Sequence, residues 1–300
     1  MKPGTPDFLR LHFIVILFGF TGILGKLITI PAVEMVFYRT LFAAAGMALF
    51  LLLTGRSFRV SGSNLTTLLL TGIIVGFHWL TFFLSGRIAN VSVSLVGFAT
   101  ASFWTAILEP LFNRTRHNWF EVLLGLLVLG GLLIIFGSDF GYSAGLWIGI
   151  LSGFTCAIFA LINARLVKQV DPYVITFYEM ISAMGFIALF FPLYQSQWAE
   201  GHQLRLSLTA ADGLWILLLA WLCTVYAYSA AVELFKRISV FLFQLTLNLE
   251  PVYGILMALL VFGEAERMST HFYLGAFVIF CAVFIYPLIK SRLEPARPSQ

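Results

Sequence analysis

Charged residues are scarce in this sequence. Only 18 Lys and Arg and 14 Asp and Glu occur among 300 residues, which is 11%, whereas a soluble protein carries about 25%. At the same time 60% of the residues are hydrophobic. Most of such a chain cannot face water, so the composition excludes an ordinary soluble protein and offers no nucleic-acid-binding module. It predicts an integral membrane protein.

Cysteines and catalytic motifs are also few or absent. Cys156, Cys223 and Cys281 lie far apart inside apolar runs and lack the spacing of a metal site. The sequence contains no Walker motif, no His-Glu-x-x-His and no Gly-x-Ser-x-Gly. We therefore expect no metal, no cofactor and no enzymatic activity, and we keep an intramembrane enzyme only as an alternative class.

The sequence contains many long apolar runs with few charged residues. A barrel would show short alternating segments and an open sheet would leave backbone groups unpaired in lipid, so these runs predict helices. About 20 apolar residues cross a bilayer. The fold class predicted is an all-α membrane protein with ten transmembrane helices, approximately at Leu11–Ile30, Val33–Leu53, Thr66–Gly86, Val91–Phe112, Phe120–Gly137, Ala144–Arg165, Pro172–Leu193, Ala211–Val232, Val240–Phe262 and His271–Ile289.

Several motifs occur twice in the same order. Leu108-Glu109-Pro110 returns 141 positions later as Leu249-Glu250-Pro251, and Gly19-Phe-Thr21 parallels Gly153-Phe-Thr155. The stretch 33–39 parallels the stretch 173–179 at an offset of 140. These landmarks predict two five-helix repeats, residues 1–140 and 141–300. An odd number of spans inverts one repeat relative to the other, an arrangement typical of secondary transporters with a site near the midplane.

The basic residues predict the orientation. With the N-terminus inside, thirteen Lys and Arg fall on the cytoplasmic side and three on the other, which follows the positive-inside rule. The three are Arg87, Arg205 and Arg267. We expect a multi-pass protein with both termini in the cytoplasm.

The region from Leu249 to Glu264 carries a family resemblance. It reads Leu-Glu-Pro-Val-Tyr-Gly-Ile-Leu-Met-Ala-Leu-Leu-Val-Phe-Gly-Glu, and a Gly-containing apolar run follows from His271. This pattern resembles the EamA-type ten-span transporters of the drug/metabolite transporter superfamily. The first repeat departs from it, because Leu-Phe-Asn-Arg-Thr-Arg follows Pro110 and no Gly-Glu occurs there.

The resemblance implies a secondary transporter in a bacterial-type inner membrane, often an exporter, of small metabolites or amino acids. Its partners would be a small-molecule substrate, the lipid bilayer and a proton or cation as coupling ion. The alternative is multidrug or cation efflux by proton antiport. Small multidrug relatives use a glutamate in the first span, and the first span here has no acidic residue, which argues against that mechanism.

The two Glu-Pro pairs, Glu109-Pro110 and Glu250-Pro251, are candidates for coupling or for a hinge. A proline inside a helix frees a backbone carbonyl one turn earlier and kinks the helix. A carboxylate at that depth normally faces a cavity or a partner. Each Glu either binds a proton, a cation or a substrate ammonium, or it fixes the kink by capping a neighbouring helix.

Other polar residues inside spans are candidates for substrate binding. Arg39 would attract a carboxylate or act as a structural counter-ion, and Glu179 occupies its repeat position, so an Arg39–Glu179 gate is one hypothesis. His78 could carry a proton. Gln244 and Asn248 lie one helical turn apart. The full set of binding candidates is Arg39, His78, Trp79, Trp104, Asn163, Glu179, Tyr226, Gln244 and Asn248.

Overall fold

The structure is a computed structural model that describes residues 3–89, 91–136, 143–250, 252–254, 257 and 270–293. Every regular element in this part is helical, which confirms the prediction of an all-α protein there. The helices are α1 (Thr5–Leu27), α2 (Ala32–Leu53), α3 (Gly62–Ile88), α4 (Val91–Ala99), α5 (Ala101–Asn113), α6 (Trp119–Phe136), α7 (Ser143–Leu166), α8 (Pro172–Gln197), α9 (Ala210–Ala220), α10 (Ala227–Leu234), α11 (Val240–Leu247) and α12 (Thr270–Leu293).

Seven helical stretches of the described residues are long and apolar enough to cross a membrane. They are α1, α2, α3, α7, α8, the pair α4–α5, and the stretch Ala210–Leu234. Large apolar side chains such as Leu53 and Leu189 are 78% and 84% exposed on these helices, as expected for surfaces that face lipid. Helices α6, α11 and α12 supply shorter apolar segments, and the full ten-span arrangement stays a prediction.

Local sequence explains where several helices begin. Ser61, Asp171, Thr209 and Ser239 each accept a hydrogen bond from a backbone N–H in the first turn of α3, α8, α9 and α11. Such caps satisfy donors that the helix itself cannot pair. Pro172 opens α8, where its missing N–H costs nothing.

Helices from the two halves of the sequence interlock. Helix α2 packs against α8, and α6 packs against α12. Three further sets of contacts correspond between the halves: α3 packs on α8 as α9 does on α2, α3 packs on α7 as α10 does on α1, and α4 packs on α7 as α11 does on α1.

Ion pairs and hydrogen bonds between helices mark the two ends of the bundle. Helices α1, α3, α8 and α11 begin at the end that we call the amino-terminal face, where Arg10 and Arg237 form ion pairs with Glu233 and Asp7. At the other end, the opposite face, the Thr29 N–H and hydroxyl donate to Asp212.

In the described residues, three of the ten predicted spans are interrupted, and we number these segments in the predicted order. The fourth breaks at Thr100, between α4 and α5, where the Thr100 hydroxyl donates to Gly97 O at 2.6 Å. Such a bond competes with the helix ladder and bends the helix. The eighth contains a π-helical stretch, Trp221–Tyr226, and the ninth leaves the helix after Leu247.

Pro110 lies inside α5 and does not end it. Helix α5 continues through Pro110 to Asn113. The proline lies in the last turn of α5, where it removes one backbone N–H donor from the helix. The break lies ten residues earlier, at Thr100.

Candidate functional site

The repeated Gly-Phe-Thr motifs mark two close helix crossings. A Cβ on Gly19 would lie 2.9 Å from Glu250 O and 3.0 Å from Gly254 N, so α1 touches the backbone of the ninth segment at that point. A Cβ on Gly153 would lie 2.6 Å from the Thr100 hydroxyl and 2.8 Å from Phe98 O. Each glycine therefore brings its helix against the interrupted segment of the other half.

A cavity lies beside the Gly19 crossing. Its volume is about 70 Å³. By the same measure, a cavity needs about 10–15 Å³ to hold one water molecule. Aromatic rings form much of its wall: Phe18, Trp79, Phe82, Phe98, Phe159, Phe235 and Phe243. Its polar lining consists of Thr21, Arg39, His78, Cys156, Asn163, Tyr228, Gln244 and Glu250. The cavity is thus a narrow aromatic chamber with a small number of polar groups.

Arg39 on α2 supplies the positive charge of the cavity. Its side chain is buried, its guanidinium carbon lies 3.8 Å from the centre of the Trp79 ring, and its Nε donates to Thr224 Oγ1 at 3.0 Å. Thr224 belongs to the π-helical stretch of the eighth segment. Stacking and one hydrogen bond hold the guanidinium plane, and the remaining N–H groups keep the geometry that suits a carboxylate.

Glu250 brings a carboxyl group to the same cavity. It is buried directly after the turn that ends α11, and it lines the cavity together with Arg39. Gln244, six residues earlier in the chain, also lines the cavity and contacts Cys156, with its Nε2 3.4 Å from Sγ. A guanidinium and a carboxyl group in one aromatic chamber can bind a zwitterion with an apolar body.

Asn163, Glu179 and Tyr228 form a buried polar cluster in the cavity wall. Glu179 Oε2 accepts a hydrogen bond from the Tyr228 hydroxyl at 2.9 Å and from Asn163 Nδ2 at 3.3 Å. Asn163 and Tyr228 line the cavity, whereas Glu179 lies behind them. No ion pair joins Glu179 to Arg39 in the described structure, so the hypothetical gate between them is not formed in this conformation.

His78 on α3 is locked to α7. Its Nδ1 lies 2.9 Å from both the backbone O and the Oγ of Ser152, and its ring packs against Phe98 and Phe159. It lines the cavity, but its Nδ1 is taken up by this contact with α7. The arrangement makes His78 a joint between α3 and α7 as well as a wall residue.

A family model matches residues 11–137 and 143–286 of the chain. The chain belongs to the EamA-like transporter family. This confirms the resemblance drawn from the Leu249–Glu264 pattern and makes the protein a multi-pass membrane transporter of the drug/metabolite type. The family is one of transporters and not of enzymes.

The fold of this EamA-like transporter also occurs among solved structures. One, described only as "Crystal structure of protein", matches with a TM-score of 0.74 and 15% sequence identity, over 95% of this chain and 98% of that one. Likeness at this identity concerns the fold alone. A comparison with curated proteins finds no match.

The remaining candidates of this EamA-like transporter lie outside the cavity lining. Tyr226 is 43% exposed and packs edge-on against Phe13. Trp104 packs against Phe154, and Asn248 donates to Ser102 on α5 at 3.0 Å. Pro251 lies outside the described residues.

The two glutamates of the Glu-Pro pairs have different surroundings. Glu109 is half-buried near the amino-terminal face, where its Oε2 accepts a hydrogen bond from the Phe241 N–H in the first turn of α11. Glu250 is buried in the cavity. Glu109 thus makes a helix-capping contact, which was one of the two roles considered for the pair.

Some residues of the site carried no functional signal in the sequence. Phe18, Phe98 and Phe159 are three among 31 phenylalanines, and nothing in their spacing separates cavity walls from lipid-facing rings. Thr21 and Thr100 had a weak signal. Thr21 belongs to the repeated Gly-Phe-Thr motif, and Thr100 contacts the second copy of that motif at Gly153.

Proposed function

We propose that this protein is a secondary transporter, working as an exporter, that moves a small amphipathic metabolite of the amino-acid class. The observation that carries the proposal is the presence of both Arg39 and Glu250 in the lining of one aromatic cavity. Arg39 would bind a substrate carboxylate, Glu250 a substrate ammonium, and the rings an apolar side chain. Export and a bacterial-type inner membrane rest on the family resemblance, and cytoplasmic termini rest on the distribution of basic residues.

The mechanism proposed is alternating access between two inverted five-helix repeats. The paired contacts of α2, α3, α4 and α6 with α8, α7 and α12 support such a repeat. The segments broken at Thr100 and after Leu247 are the points where each half can bend against the other, as in transporters with discontinuous helices.

The two faces of the bundle are held differently. Three ion pairs cross between elements at the amino-terminal face in the described residues: Arg10–Glu233, Arg237–Asp7 and Arg56–Asp171. At the opposite face, Asp212 and the Arg87 guanidinium bind groups around Thr29, with Arg87 donating to Ile28 O and Ile30 O. Opening towards either side would break one set while the other remains, which is the requirement of alternating access.

A second candidate is efflux of lipophilic cations. The aromatic rings and Glu250 favour it, since rings and a carboxylate attract a cation. Arg39 disfavours it, because a buried guanidinium in the same cavity repels a cation.

The decisive experiment is a counterflow screen on purified protein in liposomes, with amino acids, nucleotide precursors and cationic drugs as probes. We expect counterflow with zwitterions that carry an apolar side chain. Counterflow with cations alone would replace the proposal by the second candidate, and the absence of counterflow with all zwitterions would refute it.

A further inference from the structure

The cluster of Asn163, Glu179 and Tyr228 has an unequal count of donors and acceptors. Glu179 Oε2 receives both donors of the cluster, from the Tyr228 hydroxyl and from Asn163 Nδ2. Asn163 Nδ2 also lies 3.0 Å from the Tyr228 oxygen. Glu179 Oε1 and Asn163 Oδ1 are buried and have no donor among the described protein atoms. Two buried acceptors of the same cluster therefore lack a hydrogen-bond donor among the described residues.

Among the described residues, no cationic side chain neutralises Glu179. No basic side chain in the described ranges makes an ion pair with it, and Arg39 is directed to Thr224 and Trp79 instead. The titratable or charged side chains that neighbouring elements bring to this region are Arg39 on α2, His78 on α3, Cys156 on α7, Tyr228 on α10 and Glu250 after α11. An unpaired carboxylate at this depth is costly.

We propose that Glu179 is a proton-binding site, in which its protonated Oε1 donates the missing hydrogen bond and Asn163 Oδ1 accepts it. One added proton then satisfies both open acceptors and removes the buried charge. A metal ion fits less well, because Ca²⁺ or Mg²⁺ takes six or more oxygen ligands. The described residues also contain no group of three His, Cys, Asp or Glu side chains that could hold a metal ion.

The site communicates with the cavity through its two other members. Asn163 and Tyr228 line the cavity and both donate hydrogen bonds to Glu179, so the positive charge of a substrate ammonium bound at Glu250 in that cavity would favour the ionised form of Glu179 behind them. Glu179 would then release its proton to water as the substrate binds, which exchanges one positive charge for another. This coupling step rests on the proposed transport function, whereas the proton site itself does not.

Infrared difference spectroscopy of the reconstituted protein tests the proton site without any substrate. We expect the carbonyl stretch of a protonated carboxyl group, shifted in deuterated water, and we expect Glu179→Gln to remove that component while Glu250→Gln leaves it in place. A spectrum in which Glu179→Gln removes nothing would overturn the proposal, since Glu179 would then be ionised and hydrated.

Tyr228→Phe is the second variant, in case Glu179→Gln does not fold. It keeps the ring packing on Trp79 and Phe159 and removes only the hydroxyl that donates to Glu179. The carbonyl stretch should then move to higher frequency because the carboxyl group has lost a hydrogen bond. An unmoved band would also overturn the assignment.

Coupling is tested separately with a substrate from the counterflow screen. In Glu179→Gln, substrate uptake measured with a pH gradient should no longer exceed uptake measured without one, whereas the gradient accelerates uptake by the wild type. Retained acceleration would refute the coupling role. Wild-type protein without any counterflow would refute the transport proposal and leave the infrared result standing.

Discussion

Replacing Arg39 should separate substrates by charge. Arg39→Gln keeps a hydrogen-bonding side chain but removes the positive charge, the fork of N–H groups and the stacking on Trp79. In the wild type the centre of the Trp79 ring lies 3.8 Å from the guanidinium carbon. If the guanidinium binds a substrate carboxylate, its loss removes one charge-assisted hydrogen bond or more. Such bonds contribute about 1.5–3 kcal/mol, or roughly a 10- to 100-fold change in Kd.

The assay compares each substrate with the analogue in which an uncharged carboxamide replaces the carboxylate, in binding measurements on purified protein. We expect Arg39→Gln to weaken the carboxylate by roughly 10- to 100-fold and the carboxamide by only a small factor. Arg39→Lys should lie between wild type and Arg39→Gln, since Lys keeps the charge without the planar fork.

Arg205→Gln is the matched control. Arg205 is an exposed arginine near the opposite face, paired locally with Glu200, and it does not line the cavity. It should leave both affinities unchanged. Equal losses for carboxylate and carboxamide in Arg39→Gln would refute the reasoning and make Arg39 a structural partner of Trp79 and Thr224.

Three further predictions concern the cavity and its surroundings. Glu250→Gln should fold normally, because the amide has the same shape, but it should lower uptake rates in liposomes and flatten their dependence on pH. Gly19→Ala should lower the free energy of unfolding by about 1–3 kcal/mol, as overpacking does, because its Cβ would meet backbone atoms at 2.9 and 3.0 Å. Glu233→Gln breaks the ion pair with Arg10, whose side chains are about one-third exposed. Its loss should lower the free energy of opening at the amino-terminal face by about 0–1 kcal/mol. A thiol in the cavity should then be labelled faster.

Each of these predictions has a direct control. Full activity at every pH in Glu250→Gln would remove that residue from the mechanism. Gly130→Ala, where a Cβ meets nothing within 4 Å, should leave thermal unfolding in detergent unchanged, and an equal shift in both glycine variants would contradict the crossing argument. Cys156 lines the cavity and serves as the labelled thiol, with Cys223 and Cys281 replaced by serine. An unchanged labelling rate in Glu233→Gln would exclude the ion pair as a gate.

Much of the cavity could be predicted at the level of residue types. A polar side chain inside an apolar span is expensive, so its presence is itself a signal of function or of a partner. Arg39, His78, Trp79, Asn163 and Gln244 all line the cavity. Tyr226 and Tyr228 show the limit of that signal. They lie two positions apart, which places them on opposite sides of a helix, and only the structure shows that Tyr228 lines the cavity while Tyr226 is exposed.

Composition and repetition were sufficient to determine the class of this protein. Scarce charge and apolar runs require a helical membrane protein, since lipid accepts only structures that pair their own backbone groups. The Leu249–Glu264 pattern identified the family, which the match over residues 11–137 and 143–286 confirms.

Only the tertiary structure distinguished the two copies of the Glu-Pro pair. Both copies share Leu-Glu-Pro and the sequence offered the same two roles for each Glu, but Glu109 caps the first turn of α11 and Glu250 lines the cavity together with Arg39. The difference arises from where helices cross: Gly19 meets its partner segment at Glu250, whereas Gly153 meets its partner at Thr100. The depth of a crossing depends on packing between residues more than fifty positions apart in the chain, and no local pattern encodes it.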